Sequence, residues 1–263
     1  MSYLLQHTRR AMLANTANGT TGSAVGTLQV DLVSFWELEE ASGTRNDSHG
    51  TNHLTDNNTV TQTTGKVGNA AEFVGGNVES LSKTSPTGLT TGAEVSFAIC
   101  GWYYRKAPSA TFQDLIARWD DGAVDQQSWV IQDQHDSNSM RMWITPNNSS
   151  LVNCTTAGST LADEAWHFVY AEHDASNNRI RISINNGTFG STNHTTGVFA
   201  GTAPLRLGAS DRTTPNTNPD SRMTGLLDQW GIWIGRVLTS AEITYLYNAG
   251  AGRTYAEVLA ASP

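Results

Sequence analysis

Along most of the chain, apolar positions alternate with polar ones in short runs. Residues 32–38 (LVSFWEL) set Val33, Phe35 and Glu37 against Leu32, Ser34, Trp36 and Leu38, the period of two that a half-buried strand imposes. Residues 95–104 (VSFAICGWYY) carry large side chains on both faces, as a strand central in a layered β structure does. Residues 129–133 and 140–144 flank a polar stretch and predict a hairpin. Residues 166–171 and 179–184 predict a second pair with its turn at 174–178. There Ile180, Ile182 and Ile184 face one way while Arg179, Arg181 and Ser183 face the other. Asn185-Asn186-Gly187 follows as a turn signal, because Asn and Gly accept the positive φ that tight hairpins need. Residues 204–208 and 226–234 complete the predicted strands.

The period changes at the two ends. Thr239 with Glu242 three residues on is a capping box. Ile243, Leu246 and Tyr247 supply a buried stripe, and Gly250 supplies a stop. A second short helix follows Thr254, with Glu257 in the matching position. Near the start, Leu5, Met12 and Leu13 recur at helical spacing over 2–14, and a Gly/Thr/Asn stretch follows. A helix of that length is marginal alone in water, so residues 1–27 read either as a leader with no fixed structure or as an arm and linker that docks on a partner surface. Residues 28–263 are read as one antiparallel all-β sandwich with a short C-terminal helix.

Composition narrows the partners. The chain has 263 residues, 38% of them hydrophobic and 15% charged, which is long enough for a full core. With 16 Lys+Arg against 24 Asp+Glu the net charge is −8, the wrong sign for a phosphate-backbone ligand, so no nucleic acid is expected. No run approaches the roughly 20 apolar residues of a membrane span. Thr8-Arg9-Arg10-Ala11-Met12-Leu13 has the outline of a twin-arginine signal, but the polar 14–22 follows where export needs an apolar stretch. Cys100 and Cys154 are too few for a disulfide scaffold and are expected as buried free thiols.

The order of several segments carries a resemblance. They are LVSFWELEEASG (32–43), NDSHG (46–50), VGNAAEFVGG (67–76), SFAICGW (96–102), DEAWHFVYAEHD (163–174), LRLG (205–208) and GLLDQWGIWIGRVLTSAEITYLYNAG (225–250). Together they resemble the laminin G-like, concanavalin A-like lectin/glucanase jelly-roll family, over about 32–250. The closing strand and the helix after it, TSAEI (239–243) where the family has S-x-x-E-I, are the most specific part, although Gln229 stands where the family often has a second acidic residue. The resemblance implies a jelly roll, a fold that hosts lectins, glycosidases and structural modules alike. It also implies one structural Ca2+ held by Asp47, Asn52 and Asp228, with oxygen ligands in loops as a hard cation requires. The other reading of those residues is that Asp47 caps a turn and Asp228 accepts backbone hydrogen bonds.

Hydrolases that share this jelly roll place their carboxylates on one strand as E-x-D-x-x-E, and none of the acidic clusters here fits. There is no G-x-S-x-G and no four-ligand zinc cluster. The expectation is therefore a protein that is not an enzyme. Glycan binding needs aromatic rings for sugar faces and short polar groups for hydroxyls. Trp129, Asp133, His135 and Trp143 from the hairpin, with Arg212 and Asn216 from the long polar loop, are the candidates. The expected function is a recognition or structural module on a larger assembly, such as a virion surface, decorating a capsid or adsorbing to a host glycan. Residues 1–27 would dock it on itself or on particle proteins. The alternatives are a secreted or cell-surface calcium-dependent glycan binder and, behind it, a glycoside hydrolase or lyase using a carboxylate such as Glu172 or Asp133.

Overall fold

A computed structural model describes residues 27–106, 112–121, 126–156, 161–210 and 221–261. Residues 1–26, which make up nearly all of the expected arm, lie outside the described residues, as do Arg212 and Asn216. Two antiparallel sheets stack as a jelly-roll sandwich. The first runs β13 (Gly190–Asn193), β12 (Arg179–Ile184), β11 (Ala165–Asp174), β6 (Phe97–Arg105), β15 (Gly225–Ile234), β4 (Asn69–Phe73) and β3 (Thr61–Thr64), with β1 (Leu32–Trp36) also on β15. The second runs β10 (Val152–Thr155), β9 (Ser139–Ile144), β8 (Gln126–Gln134), β7 (Phe112–Asp120), β14 (Leu205–Leu207), β5 (Ser80–Lys83) and β2 (Thr55–Asn57). Trp36, Phe97, Trp129, Ile131, Met142 and Trp230 are among the side chains that fill the space between them. Among the described residues no helix is long and apolar enough to cross a membrane.

The first sheet is apolar on its outer face as well. Phe35, Trp102, Phe168, Tyr170 and Trp233 point outward and are roofed by Leu238 and by two helices, α1 (Ser240–Tyr247) and α2 (Tyr255–Ala260). Both helices start in the capping boxes that the sequence predicts, at Thr239 with Glu242 and at Thr254 with Glu257. The short turn Thr27–Gln29 joins the same layer. Leu28 is fully buried, its carbonyl accepts from Trp233 Nε1 at 2.8 Å, and Gln29 Nε2 donates to the Leu259 carbonyl at 2.5 Å.

Two irregularities matter for the sites. β15 has one edge on β6, but its other edge is shared, with Gly225–Leu227 on β4 and Trp230–Trp233 on β1. A bulge between Asp228 and Gly231 makes the switch, with Gln229 at φ 52°. In β7, a strand the sequence pattern does not reveal, a bulge between Asp114 and Ile116 turns both Leu115 and Ile116 into the core. The apolar positions 112, 115, 116 and 119 therefore fall at helical spacing within a strand. Cys100 and Cys154 are buried free thiols, and burial pushes the Cys154 thiol up to about 12.

Candidate functional site

The register of β7, β8 and β9 sorts the central hairpin into two faces. Inward rows are Ile116–Ile131–Met142 and Arg118–Trp129–Ile144, and outward rows are Ala117–Val130–Trp143 and Asp114–Gln132–Arg141. The outer face bears a cavity of about 300 Å3 lined by Phe112, Trp119, Asp121, Gln127, Gln132, Arg141, Trp143, Ser149 and Leu151. Trp119 packs with Ala117 and Val130 in a small apolar cluster beneath this face, with Trp143 half-buried against them.

A hydrogen-bonded chain crosses this face from strand to strand. Asp114 is fully buried. One of its oxygens accepts from Gln132 Nε2 at 2.6 Å and the other from Ser210 Oγ at 2.5 Å. Gln132 Oε1 in turn accepts from Arg141 Nη2 at 2.6 Å. The Arg141 guanidinium lies over the Trp143 ring at 4.3 Å and the Phe112 ring at 5.3 Å. Asp114 thus fixes which end of the Gln132 amide faces Arg141, and the two rings hold the guanidinium plane. The result is an apolar wall beside a preset array of donors and acceptors, the composition of a site for a neutral, polar-edged ligand.

Three of the residues chosen from sequence are not on this face. Trp129 is a core side chain 6.0 Å from Phe97. Asp133 is fully buried, where Oδ2 accepts from Tyr103 OH and from Arg105 Nε, each at 2.9 Å. Burial pushes its carboxyl up while Arg105 and Tyr103 pull it down. His135 Nδ1 meets Arg105 Nη2 at 2.6 Å. The correction is one of parity: 129, 131 and 133 share the inward face of β8, so only Trp143 of the hairpin group reaches the cavity. Sequence reasoning missed Trp119, Gln132 and Arg141. The available signal was the inward apolar row Ile131, Met140, Met142 and Ile144, whose opposite row has to be the exposed one.

The residues expected to ligate a metal already have partners. Asp47 Oδ1 accepts from the amides of Phe35, His49 and Gly50 (2.8–3.1 Å), and Oδ2 accepts from that of Asn52 at 3.0 Å. Four N–H donors fill the acceptor sites of one carboxylate. Asn52 is spent on Ser34 Oγ and on both backbone groups of Thr87. Asp228, on β15, holds another loop: its Oδ2 accepts from the amides of Lys66 and Val67 at 2.7 and 2.8 Å. Burial above all pushes its carboxyl up to about 8, so it is neutral in much of the neutral range. Among the described residues no group of three or more His, Cys, Asp or Glu converges on a point. Asp47 and Asn52 are saturated within their own loop and do not fit a calcium ion shared with Asp228. Glu172 is likewise enclosed, bonded to Tyr170 OH and Arg181 Nε at 2.5 Å each.

Comparison with known proteins agrees with this architecture. Residues 75–244 match the family model for laminin G-like domains, described as the concanavalin A-like lectin/glucanases superfamily. No curated protein sequence matches the chain. Among solved structures it is similar to the binding domain of Paraclostridial Mosquitocidal Protein 1, with 15% identity, 85% of this chain and 53% of that chain covered, and a TM-score of 0.67. It is also similar to domain 4 of AbnA, a GH43 extracellular arabinanase from Geobacillus stearothermophilus, in complex with arabinotriose (16% identity, 85% and 98% covered, TM-score 0.52). A third is the binding domain of botulinum neurotoxin DC in complex with SialylT (13% identity, 85% and 52% covered, TM-score 0.58). The chain spans about half the length of the two toxin binding domains.

Proposed function

This chain belongs to the concanavalin A-like lectin/glucanase superfamily, and we propose that it is a non-catalytic glycan-binding module whose ligand lies across the open face of the second sheet. The observation that carries the reading is the Arg141 guanidinium stacked on Trp143 and Phe112 and tied through Gln132 to buried Asp114. A sugar ring offers one apolar face and a rim of hydroxyls; the aromatic wall of Trp119 and Trp143 suits the first, and Arg141, Gln127 and Asp121 suit the second. Relatives crystallised with arabinotriose and with SialylT support a saccharide as the ligand class. We assign the module to the surface of a larger assembly, such as a virion, with residues 1–27 as its attachment. The short amphipathic pattern followed by a Gly/Thr/Asn stretch supports that part.

The test is glycan-array screening of the full chain, followed by calorimetry on the best neutral hit. Trp143→Ala, at a half-buried side chain, and Gln132→Ala, at a buried one bonded to Asp114, are expected to weaken binding about tenfold or more, and a thermal melt of each variant separates that loss from a loss of folding. Retention of no glycan on the array, or unchanged binding by both variants, overturns the reading. Assembly is tested separately by the solution mass of the full chain and of a variant lacking residues 1–27. Loss of self-association or of particle binding in the truncated form is expected, and identical behaviour refutes the docking role.

A further inference from the structure

At one end of the sandwich a second cavity, of about 350 Å3, is lined by Ser85, Pro86, Thr90, Arg118, Ala200, Gly201 and Thr202. Arg118 comes from the inward row of β7, beside Trp129 and Leu205, and is only 5% exposed. Its guanidinium is bonded to backbone carbonyls alone. Nη1 donates to Leu89 at 2.6 Å, Nη2 to Gly201 at 2.8 Å and to Ala203 at 3.2 Å, and Nε to Ala203 at 3.2 Å. Among the described residues no carboxylate pairs with it, in contrast to Arg105, Arg179, Arg181, Arg236 and Arg253, which all have acidic partners.

Arginine carries five N–H donors, so one hydrogen on Nη1 has no assigned acceptor. A guanidinium held out of water with no counter-charge is costly and is normally paired. Here the charge forms part of a cavity wall, and Ser85, Thr90 and Thr202 are exposed hydroxyl-bearing residues around it.

We propose that this cavity binds a carboxylate-bearing sugar residue, a uronic or sialic acid unit, with the carboxylate on Arg118 and the ring hydroxyls against Ser85, Thr90 and Thr202. A single buried cation matches a monoanion, and charge-assisted N–H to carboxylate contacts are the strong, directional kind. The lining is polar except for Pro86 and Ala200, which suits a hydroxylated ring and not an apolar ligand. The size is at the small end of ligand cavities, the scale of one ring. The choice of a saccharide rests on the glycan-binding reading above, but the residues are different and lie elsewhere on the molecule.

The experiment is calorimetric titration of the full chain at low salt with sodium glucuronate, glucose and sodium acetate. Glucuronate is expected to bind about tenfold or more tightly than either control, because only it supplies both the charge and the ring. Because Arg118 ties together several loop carbonyls, its removal could unfold this end, so the variant used is Thr90→Asp. Thr90 is exposed and follows Leu89, whose carbonyl receives Nη1. An aspartate there offers Arg118 an internal counter-ion. It is expected to abolish the glucuronate preference and to hold or raise the melting temperature. Equal affinity for glucuronate and glucose, equal affinity for acetate and glucuronate, unchanged binding by T90D, or a lowered melting temperature of T90D each overturns the proposal. Trp143→Ala is expected to keep the glucuronate preference; its loss there refutes a separate site. If no neutral glycan binds the open face but T90D-sensitive glucuronate binding persists, the reading of the open face fails and this one stands.

Discussion

The two outer faces of this sandwich are built from the same materials and finished differently. On the first sheet Trp102, Phe168, Tyr170 and Trp233 lie under α1 and α2, so an apolar outer face becomes a second core. On the second sheet Trp119, Val130 and Trp143 are flanked instead by Arg141 and Gln132, and a cavity remains above them. Outward tryptophans therefore do not by themselves identify a binding face. What separates the two cases is whether the chain supplies a cover, and whether polar groups are pinned beside the rings.

The largest way to break this contrast is to damage the roof. Phe168 packs between Trp102 at 5.4 Å and Tyr247 at 6.0 Å. Phe168→Ala is expected to cost about 3–5 kcal/mol in denaturant unfolding. A loss below about 1 kcal/mol would mean that the helices do not seal the face. Loosening only the start of the roof gives less. Thr239→Ala removes the cap that accepts from the Glu242 amide and should cost about 1 kcal/mol.

Acid also acts at the edge of the first sheet, where the rings of His173 and His194 lie tilted against each other at 5.0 Å. Burial, reinforced by His173, lowers His194 from 6.5 to about 4. Because its folded value lies below the unfolded one, the stability tied to neutral His194 is intact above pH 6.5 and is lost as pH falls towards 4. Thermal melts at pH 7, 5.5 and 4.5 should show a shallower decline for His194→Gln than for the parent; parallel declines would remove His194 from the acid response. Smaller still is the stability effect of Trp143→Ala on the open face, about 0.5 kcal/mol or less, to be read beside its loss of binding. Chelation is the null end of the scale. With the oxygens of Asp47 spent on backbone amides, excess EDTA is expected to leave the melting temperature unchanged, and a fall reversed by Ca2+ would show that the loop holds a cation.

How much of this was legible beforehand follows from how local each signal is. The alternation over 179–184 and the two capping boxes are local, and each appears where the pattern puts it. β7 was hidden because its bulge converts a period of two into an apparent helical spacing. The family order of segments carried the fold, but it could not say which side of β8 meets solvent. That depends on the register against β7 and β9, so Trp129 and Asp133 were chosen with Trp143 although they face the other way. Gln132 and Arg141 look ordinary in sequence; they matter because Asp114, eighteen residues before Gln132, lands opposite it. Arg118 was invisible for a related reason, since nothing in a sequence shows that a cation lacks a partner.

The contacts of Leu28 with Trp233 and of Gln29 with Leu259 set the two ends of the folded body side by side, on the roofed sheet. The cavity with Trp143 belongs to the other sheet. A polypeptide joined before Thr27 or after Ala261 therefore enters and leaves on the same side, opposite the open face. The unit can be spliced into a host chain like a knob on a stalk, its open face turned outward whichever end carries the tether. Circular permutants that link these ends and open an exposed turn, such as Asn185-Asn186, should keep the same fold, with the bond from Asn186 Nδ2 to Thr244 at risk.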